Sequence, residues 1–278
     1  MVHVLALSSW VAQGHVGLSA IAPVLQILGH TVTQLPTVQL SNHPGFGDCA
    51  GMTTGPDTLR AMITALDENG FLGAIDTILT GYLPSGAHVD VAVELIDRFD
   101  SPKRSVVVDP VLGDTPKGIY ISEEAAEALR DRLVPRADIL TPNAFELSWL
   151  TNQPTLTVPT AVAAAHDLGA RASGARVLVT SAPFDDAQTG ILSVTPSETE
   201  AFQSPRAPEG RTVPHGVGDV FSALIAAGLS TGGALGCLQT LIEHSLDAPH
   251  LRIAETADRW TTASPIDAIP LTGIGERR

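Results

Sequence analysis

The chain has few basic, aromatic or thiol-bearing residues. Lys and Arg number 16 against 30 acidic residues, a net charge of −14. So acidic a chain is poorly suited to wrapping a nucleic-acid backbone, whose phosphates require Lys and Arg. A small anion is not excluded, because backbone N–H groups, a helix N-terminus or a bridging metal can hold one. Cysteine occurs twice, at Cys49 and Cys237. Two thiols so far apart make neither a disulfide framework nor a zinc cluster, and they suit a reducing compartment, hence the cytoplasm. No apolar run nears the roughly 18 residues that cross a bilayer. The N-terminus, Met1 to Leu7, has no basic region ahead of its apolar stretch, so neither anchor nor signal peptide is expected. Familiar nucleotide signatures are missing as well. There is no G-x-x-x-x-G-K-[ST], and Gly216-Val217-Gly218 lacks the third glycine of a dinucleotide fingerprint, since Phe221 stands in its place. H-E-x-x-H and G-x-S-x-G are also absent.

Apolar residues make up 44% of the 278, enough for a sizeable core, and residues 1–278 read as one domain. Strand-like runs at Val2–Ser8, His30–Val38, Ala74–Thr80, Ser105–Val108, Asp138–Leu140 and Val177–Thr180 alternate with helical spacing. The helices are expected over Leu18–Leu28, Asp57–Asn69, Val89–Phe99, a stretch capped by Ser122, a short helix after Asn143, Thr160–Ala172, Gly218–Leu229 and Ala234–Leu246. Gly190–Thr195 and Glu200–Ser204 read as a late hairpin. The last ~20 residues show no clear pattern. Alternation of this kind predicts an α/β fold with a mostly parallel sheet between two helical layers.

In such a sheet ligands gather at the strand C-terminal ends. Those ends here carry Ser8-Ser9, the Ser41–Gly47 loop, Gly81-Tyr82, Asp109, Thr141-Pro142-Asn143 with Glu146, and Thr180-Ser181. Ordinary loop polarity accounts for any one of them more easily than for all together. The nine histidines show no convincing metal-ligand spacing.

Pro214 to Leu224, PHGVGDVFSAL, is the most informative stretch. Two glycines before an apolar helix let several N–H groups aim at one point, where the helix adds about half a positive charge. Asp219 stands beside that point. It reads either as a base taking a proton from an attacking hydroxyl or as a helix-capping residue in a glycine turn. Spacing alone leaves both open.

The segment resembles the G-x-G-D motif of the ribokinase-like kinases, and five further stretches narrow the resemblance to the pyridoxal kinase family. These are Ser8–Gly17 (SSWVAQGHVG), Thr37–His43 (TVQLSNH), Thr80-Gly81-Tyr82, Val108–Asp114 (VDPVLGD) and Ala137–Glu146 (ADILTPNAFE). Their order and spacing fit over roughly residues 2–230. The resemblance implies a ribokinase-like α/β/α sandwich that phosphorylates pyridoxal or related B6 vitamers at the 5′-hydroxymethyl group with ATP. It implies Asp219 as base, with Gly216, Val217 and Gly218 as anion hole. It places Ser9, Pro44 and Tyr82 at the vitamer, and Asp109, Thr141, Asn143, Glu146, Thr180 and Ser181 at the nucleotide. Asp109, Asp114, Thr141 and Glu146 would hold Mg²⁺ and a monovalent cation such as K⁺. A homodimer is implied too. Read alone, Asp109 before Pro110 could be a strand-ending turn residue, and Asn143 with Glu146 a helix start.

Three positions depart from the family pattern. Pro44 replaces a Thr that meets the substrate, Trp10 replaces a His, and Leu18 replaces an Asn. All three fall on or beside the substrate side, so phosphotransfer is better supported than the acceptor. Two alternatives stand: a sibling kinase for another hydroxymethyl heterocycle such as hydroxymethylpyrimidine, and a vitamer-binding protein without catalysis.

Overall fold

A computed structural model describes residues 1–98, 104–185 and 187–271. The strands are β1 (His3–Gln13), β2 (Thr31–Asn42), β3 (Gly51–Thr53), β4 (Thr77–Thr80), β5 (Ser105–Val108), β6 (Gly113–Asp114), β7 (Gly118–Ile119), β8 (Ile139–Leu140), β9 (Arg176–Val179), β10 (Gln188–Val194) and β11 (Thr199–Pro205). The helices are α1 (Leu18–Ile27), α2 (Pro56–Glu68), α3 (Gly86–Arg98), α4 (Glu123–Ala128), α5 (Ala144–Thr151), α6 (Val158–Arg171), α7 (Val217–Ala226), α8 (Thr231–Ser245) and α9 (Ala257–Trp260). Nine strands form one sheet in the order β11-β10-β9-β8-β5-β4-β1-β2-β3, while β6 and β7 pair as a separate hairpin. Neighbours from β2 to β9 run parallel, and the edges at β3, β10 and β11 are antiparallel.

Alternating side chains of the central strands enter two separate cores. Leu5, Leu7, Ile78, Val106, Val108, Val177 and Val179 face one side, under α2, α3, α5 and α6. Val4, Ala6, Leu79, Val107 and Leu178 face the other, under α1, α7 and α8. Apolar residues on both faces are what a parallel strand covered by helices requires. The helix ends are specified locally. Ser122 accepts the Ala125 N–H, Asn143 and Glu146 form a capping box, and so do Thr157 and Thr160.

Several boundaries move from those expected. β1 and β2 run to Gln13 and Asn42 because they continue pairing across a bulge between Ser8 and Trp10. Phe99, expected to end a helix, lies outside the described residues; α3 is described to Arg98. The short strands β3, β6 and β7 have no sequence period long enough to reveal them. Much of the unpatterned C-terminal stretch is anchored. Trp260 is fully buried with its indole N–H on the Ile253 carbonyl, and the Ile269 N–H reaches the Ala201 carbonyl on β11. Residues 272–278 of that stretch lie outside the described part. Among the described residues no helix is long and apolar enough to cross a membrane.

Candidate active site

The site begins at the N-terminus of α7. Gly216 caps the helix with φ +99°, and a Cβ there would sit 1.9 Å from the His15 carbonyl oxygen. Only glycine satisfies both the left-handed backbone and that contact. A Cβ on Gly218 would meet nothing within 4 Å, so the backbone there faces open space. No side chain caps the helix. Its first N–H groups are thus not taken up by a side-chain cap. Gly216→Ala is expected to abolish turnover by displacing this turn. Kinetics beside a thermal melt check it, and a folded variant with wild-type kcat would show the turn to be dispensable.

Asp219, in the first turn of α7, takes hydrogen bonds from the Gly17 N–H and from its own N–H. Gly17 is itself wedged against β1, where a Cβ would fall 2.2 Å from the Ser9 carbonyl oxygen. The two glycine turns therefore fix where the Asp219 carboxylate points. Burial pushes its pKa up to about 6, against the pull of those hydrogen bonds.

Next to it lie the tips of β5 and β8. Asp109 is buried, and its carboxyl is pushed up to about 7 by burial and by the charge of Asp219, while Ser222 and Thr141 hydrogen bonds oppose the rise. Ser222 Oγ donates to Asp109 Oδ2 at 2.8 Å and lies 2.9 Å from Thr141 Oγ1. Glu146 is also buried and held well above the usual carboxylate range, by burial and then by Asp109. It accepts the Asn143 N–H at 2.8 Å and the Leu112 N–H at 3.2 Å. Asn143 returns the cap to the Glu146 N–H and donates to the Gly113 carbonyl, which ties α5 to the β6–β7 hairpin. The helix-start alternative is thus realised for Asn143 and Glu146, and Glu146 still faces Asp109. Thr180 donates its N–H to the Pro142 carbonyl and bridges Asn143; Ser181 follows at φ +50°.

Among the described residues no three His, Cys, Asp or Glu side chains converge with metal-ligand geometry. A cation here would take the rest of its shell from phosphate oxygens and water, as Mg²⁺ commonly does. The donors suit a hard cation. Asp114 Oδ1 is buried without a partner, and Asp109 is held high by burial and by the charge of Asp219. Tyr120, unremarked in the sequence, belongs to this group. Although the residue is 47% exposed, desolvation and the charges of Glu146, Asp114, Asp109 and Asp219 push its hydroxyl pKa upward.

The other half of the site lies at the tips of β1, β2 and β4. Ser8 is fully buried and accepts the Tyr82 N–H, and Thr37 donates to the Tyr82 carbonyl, so Tyr82 is held by its backbone. Ser9 lies against Gly17. Pro44 opens a short 3₁₀ turn, Pro44–Phe46. That loop is docked on the anion-hole loop by His43, which stacks on His215 with ring centroids 4.1 Å apart. Burial and then His215 push His43 down to about 4. Of the three departures, Leu18 is the first residue of α1 and is buried in the core on that side of the sheet. Trp10 is 38% exposed, in a row with Gln39 and Met52 across β1, β2 and β3.

The sequence reading missed Ser222. It is a polar residue on an otherwise apolar helix, three positions after Asp219 and so on the same face, and that spacing was the available signal.

A mostly parallel α/β sheet with an uncapped helix N-terminus beside a buried aspartate places an anion site next to a candidate base. The phosphomethylpyrimidine kinase family matches residues 50–237. The chain is 34% identical to a pyridoxal kinase PdxY of Granulibacter bethesdensis, over 95% of this chain and 96% of that one. It is 37% identical to that of Leifsonia xyli subsp. xyli, over 98% and 99%. Among solved structures, Leishmania donovani pyridoxal kinase in complex with ADP and pyridoxamine superposes with a TM-score of 0.86 at 28% identity, covering 96% of this chain and 99% of that one. The chain belongs to the phosphomethylpyrimidine kinase family, among its pyridoxal kinases.

Proposed function

We propose that residues 1–278 act as one kinase domain that transfers the γ-phosphoryl group of ATP to the 5′-hydroxymethyl group of pyridoxal and related B6 vitamers. The observation that carries this reading is the Asp219 carboxylate, oriented by the Gly17 N–H beside the open N–H groups of α7. Asp219 takes the proton of the vitamer hydroxyl as its oxygen attacks phosphorus. The Gly216–Gly218 N–H groups hold the charge that develops on the phosphoryl oxygens, without a lysine. Asp109, Asp114, Thr141 and Glu146 would hold Mg²⁺ and a monovalent cation, which when bound neutralise the ATP phosphates. Asn143, Thr180 and Ser181 line the nucleotide side, while Ser9, Pro44 and Tyr82 line the vitamer side.

An ADP-release assay with pyridoxal, pyridoxine, pyridoxamine and hydroxymethylpyrimidine tests the reading. Turnover is expected with the vitamers. Preference for hydroxymethylpyrimidine would favour the second reading, a sibling kinase, which the missing hydroxyl at Pro44 and the matched family's description support. No turnover with any of them would leave a vitamer-binding protein.

Pro44 bears directly on the acceptor. A lost neutral hydrogen bond is worth about 0.5–1.5 kcal/mol, roughly threefold to tenfold in affinity. Pro44→Thr is therefore expected to lower KM for pyridoxal by that factor with kcat less affected. An unchanged or higher KM would indicate a pocket rebuilt for another substrate.

The protein is further read as a cytoplasmic homodimer. The exposed Trp10 and Met52 flank Gln39 on one sheet face at the β3 edge, a surface that a second copy would cover. Sedimentation at micromolar concentration tests the assembly, and a monomer there would rule it out.

A further inference from the structure

Ser222 joins the two halves of the chemistry. It lies one turn beyond Asp219 on α7 and is 1% exposed, in contact with Asp109 at the end of β5 and Thr141 at the end of β8, both buried. One hydroxyl oxygen on α7 thus contacts the ends of both β5 and β8. A hydroxyl has a single proton. With Asp109 ionised, as a cation ligand would be, Ser222 gives its proton to Oδ2 and Thr141 is then the donor in the Thr141–Ser222 contact. Thr141 also hydrogen-bonds the Asp109 carboxylate. In either arrangement the Thr141 proton stays within the buried triad. The oxygen of Thr141 is left with lone pairs only for the site. That suits a ligand to a hard cation and does not suit a donor to a phosphate oxygen.

We propose that Ser222 is a positioning residue: by holding the Thr141 proton inward and Asp109 in place, it sets both as cation ligands and keeps them in register with the helix that carries Asp219. The proposal rests on the cation reading given above. It goes beyond that reading by assigning a role to a residue that touches neither substrate nor cation. Without Ser222 Oγ, Asp109 loses a donor and Thr141 loses one of its two inward acceptors, so that Asp109 alone keeps its proton from the cation position. A hydrogen bond to a charged group is worth enough that its loss should weaken cation binding roughly tenfold or more.

The test measures binding, not turnover. ADP and adenosine affinities are read by calorimetry on wild type, Ser222→Ala and Ser222→Cys, with Mg²⁺ and K⁺ titrated in and a thermal melt for each protein. In Ser222→Ala, the cation concentration for half-maximal ADP binding is expected to rise at least tenfold, with adenosine affinity unchanged. Ser222→Cys, near in size but a weak donor, should fall between the two. A purely structural Ser222 would lower the melting temperature and leave the cation dependence alone; that result overturns the proposal, as does a Cys variant no better than Ala. Should Ser222→Ala not fold, the Cys variant alone decides, by whether its cation requirement rises. The wild-type arm separates the two levels: ADP binding indifferent to cations overturns the cation reading and this inference with it. Cation-dependent wild-type binding with an unshifted variant overturns this inference alone.

Discussion

Asp219→Asn is expected to lower kcat by about 10²–10⁴-fold while ADP binding stays measurable, because the amide keeps the shape but cannot take a proton. The same substitution should not destabilise the protein at neutral pH. Burial raises the folded-state pKa of Asp219 from 3.8 to about 6, so the native state binds the proton more tightly than the unfolded chain. Stability from this group is therefore greatest below about pH 4 and is lost as pH rises through about 6. Above that window the ionised carboxylate costs on the order of 3 kcal/mol. Removing the charge relieves that cost, and the variant's melting temperature at pH 8 should equal or exceed the wild type's. Activity runs in the opposite sense: kcat/KM should fall as pH drops below about 6, where Asp219 takes up a proton. A variant with near-normal kcat would remove Asp219 from the base role. A variant that melts far below wild type would mean that its carboxylate is mainly structural.

Chelation should be equally severe. Asp109, Asp114, Glu146 and Asp219 converge on one end of the sheet in a chain of net charge −14, and the ATP polyphosphate has to approach them. Without a cation the repulsion is uncompensated, and the neighbouring cationic side chain, the exposed Lys117, lies 4.0 Å from Oδ2 of the half-buried Asp114. Excess EDTA is expected to abolish turnover, and added Mg²⁺ to restore it. Undiminished turnover in chelator would make those carboxylates structural, with Glu146 serving as the cap of α5 and no more.

Most of the candidate site lay at positions that can be read one strand at a time. Ser9, Tyr82, Asp109, Thr141 and Thr180 all fall just past, or at the end of, apolar runs, and a parallel sheet brings such ends to one edge whatever the strand order. The two glycines before Asp219 were legible because a helix N-terminus is a local property. What could not be read were relations between distant segments. The burial that lifts Asp219 and Asp109 exists only when β5, β8 and α7 are packed together, and no stretch of chain contains all three. The stack of His43 on His215 joins residues 172 apart, and so explains how a loop stiffened by Pro44 is held against the anion hole.

The sequence by itself determined the alternation of strands and helices, the two-faced burial of the central strands, the glycine turn before Asp219 and the acidic character of the strand tips. Each depends on residues within a few positions of one another, where side-chain period, capping and backbone freedom act. Only the tertiary structure decided the order β11-β10-β9-β8-β5-β4-β1-β2-β3, the place of Leu18 in the core, and the bond from Ser222 to Asp109 across 113 positions. These depend on which surfaces exclude water together and which buried polar atoms then need partners, and both are set by chain packing in three dimensions.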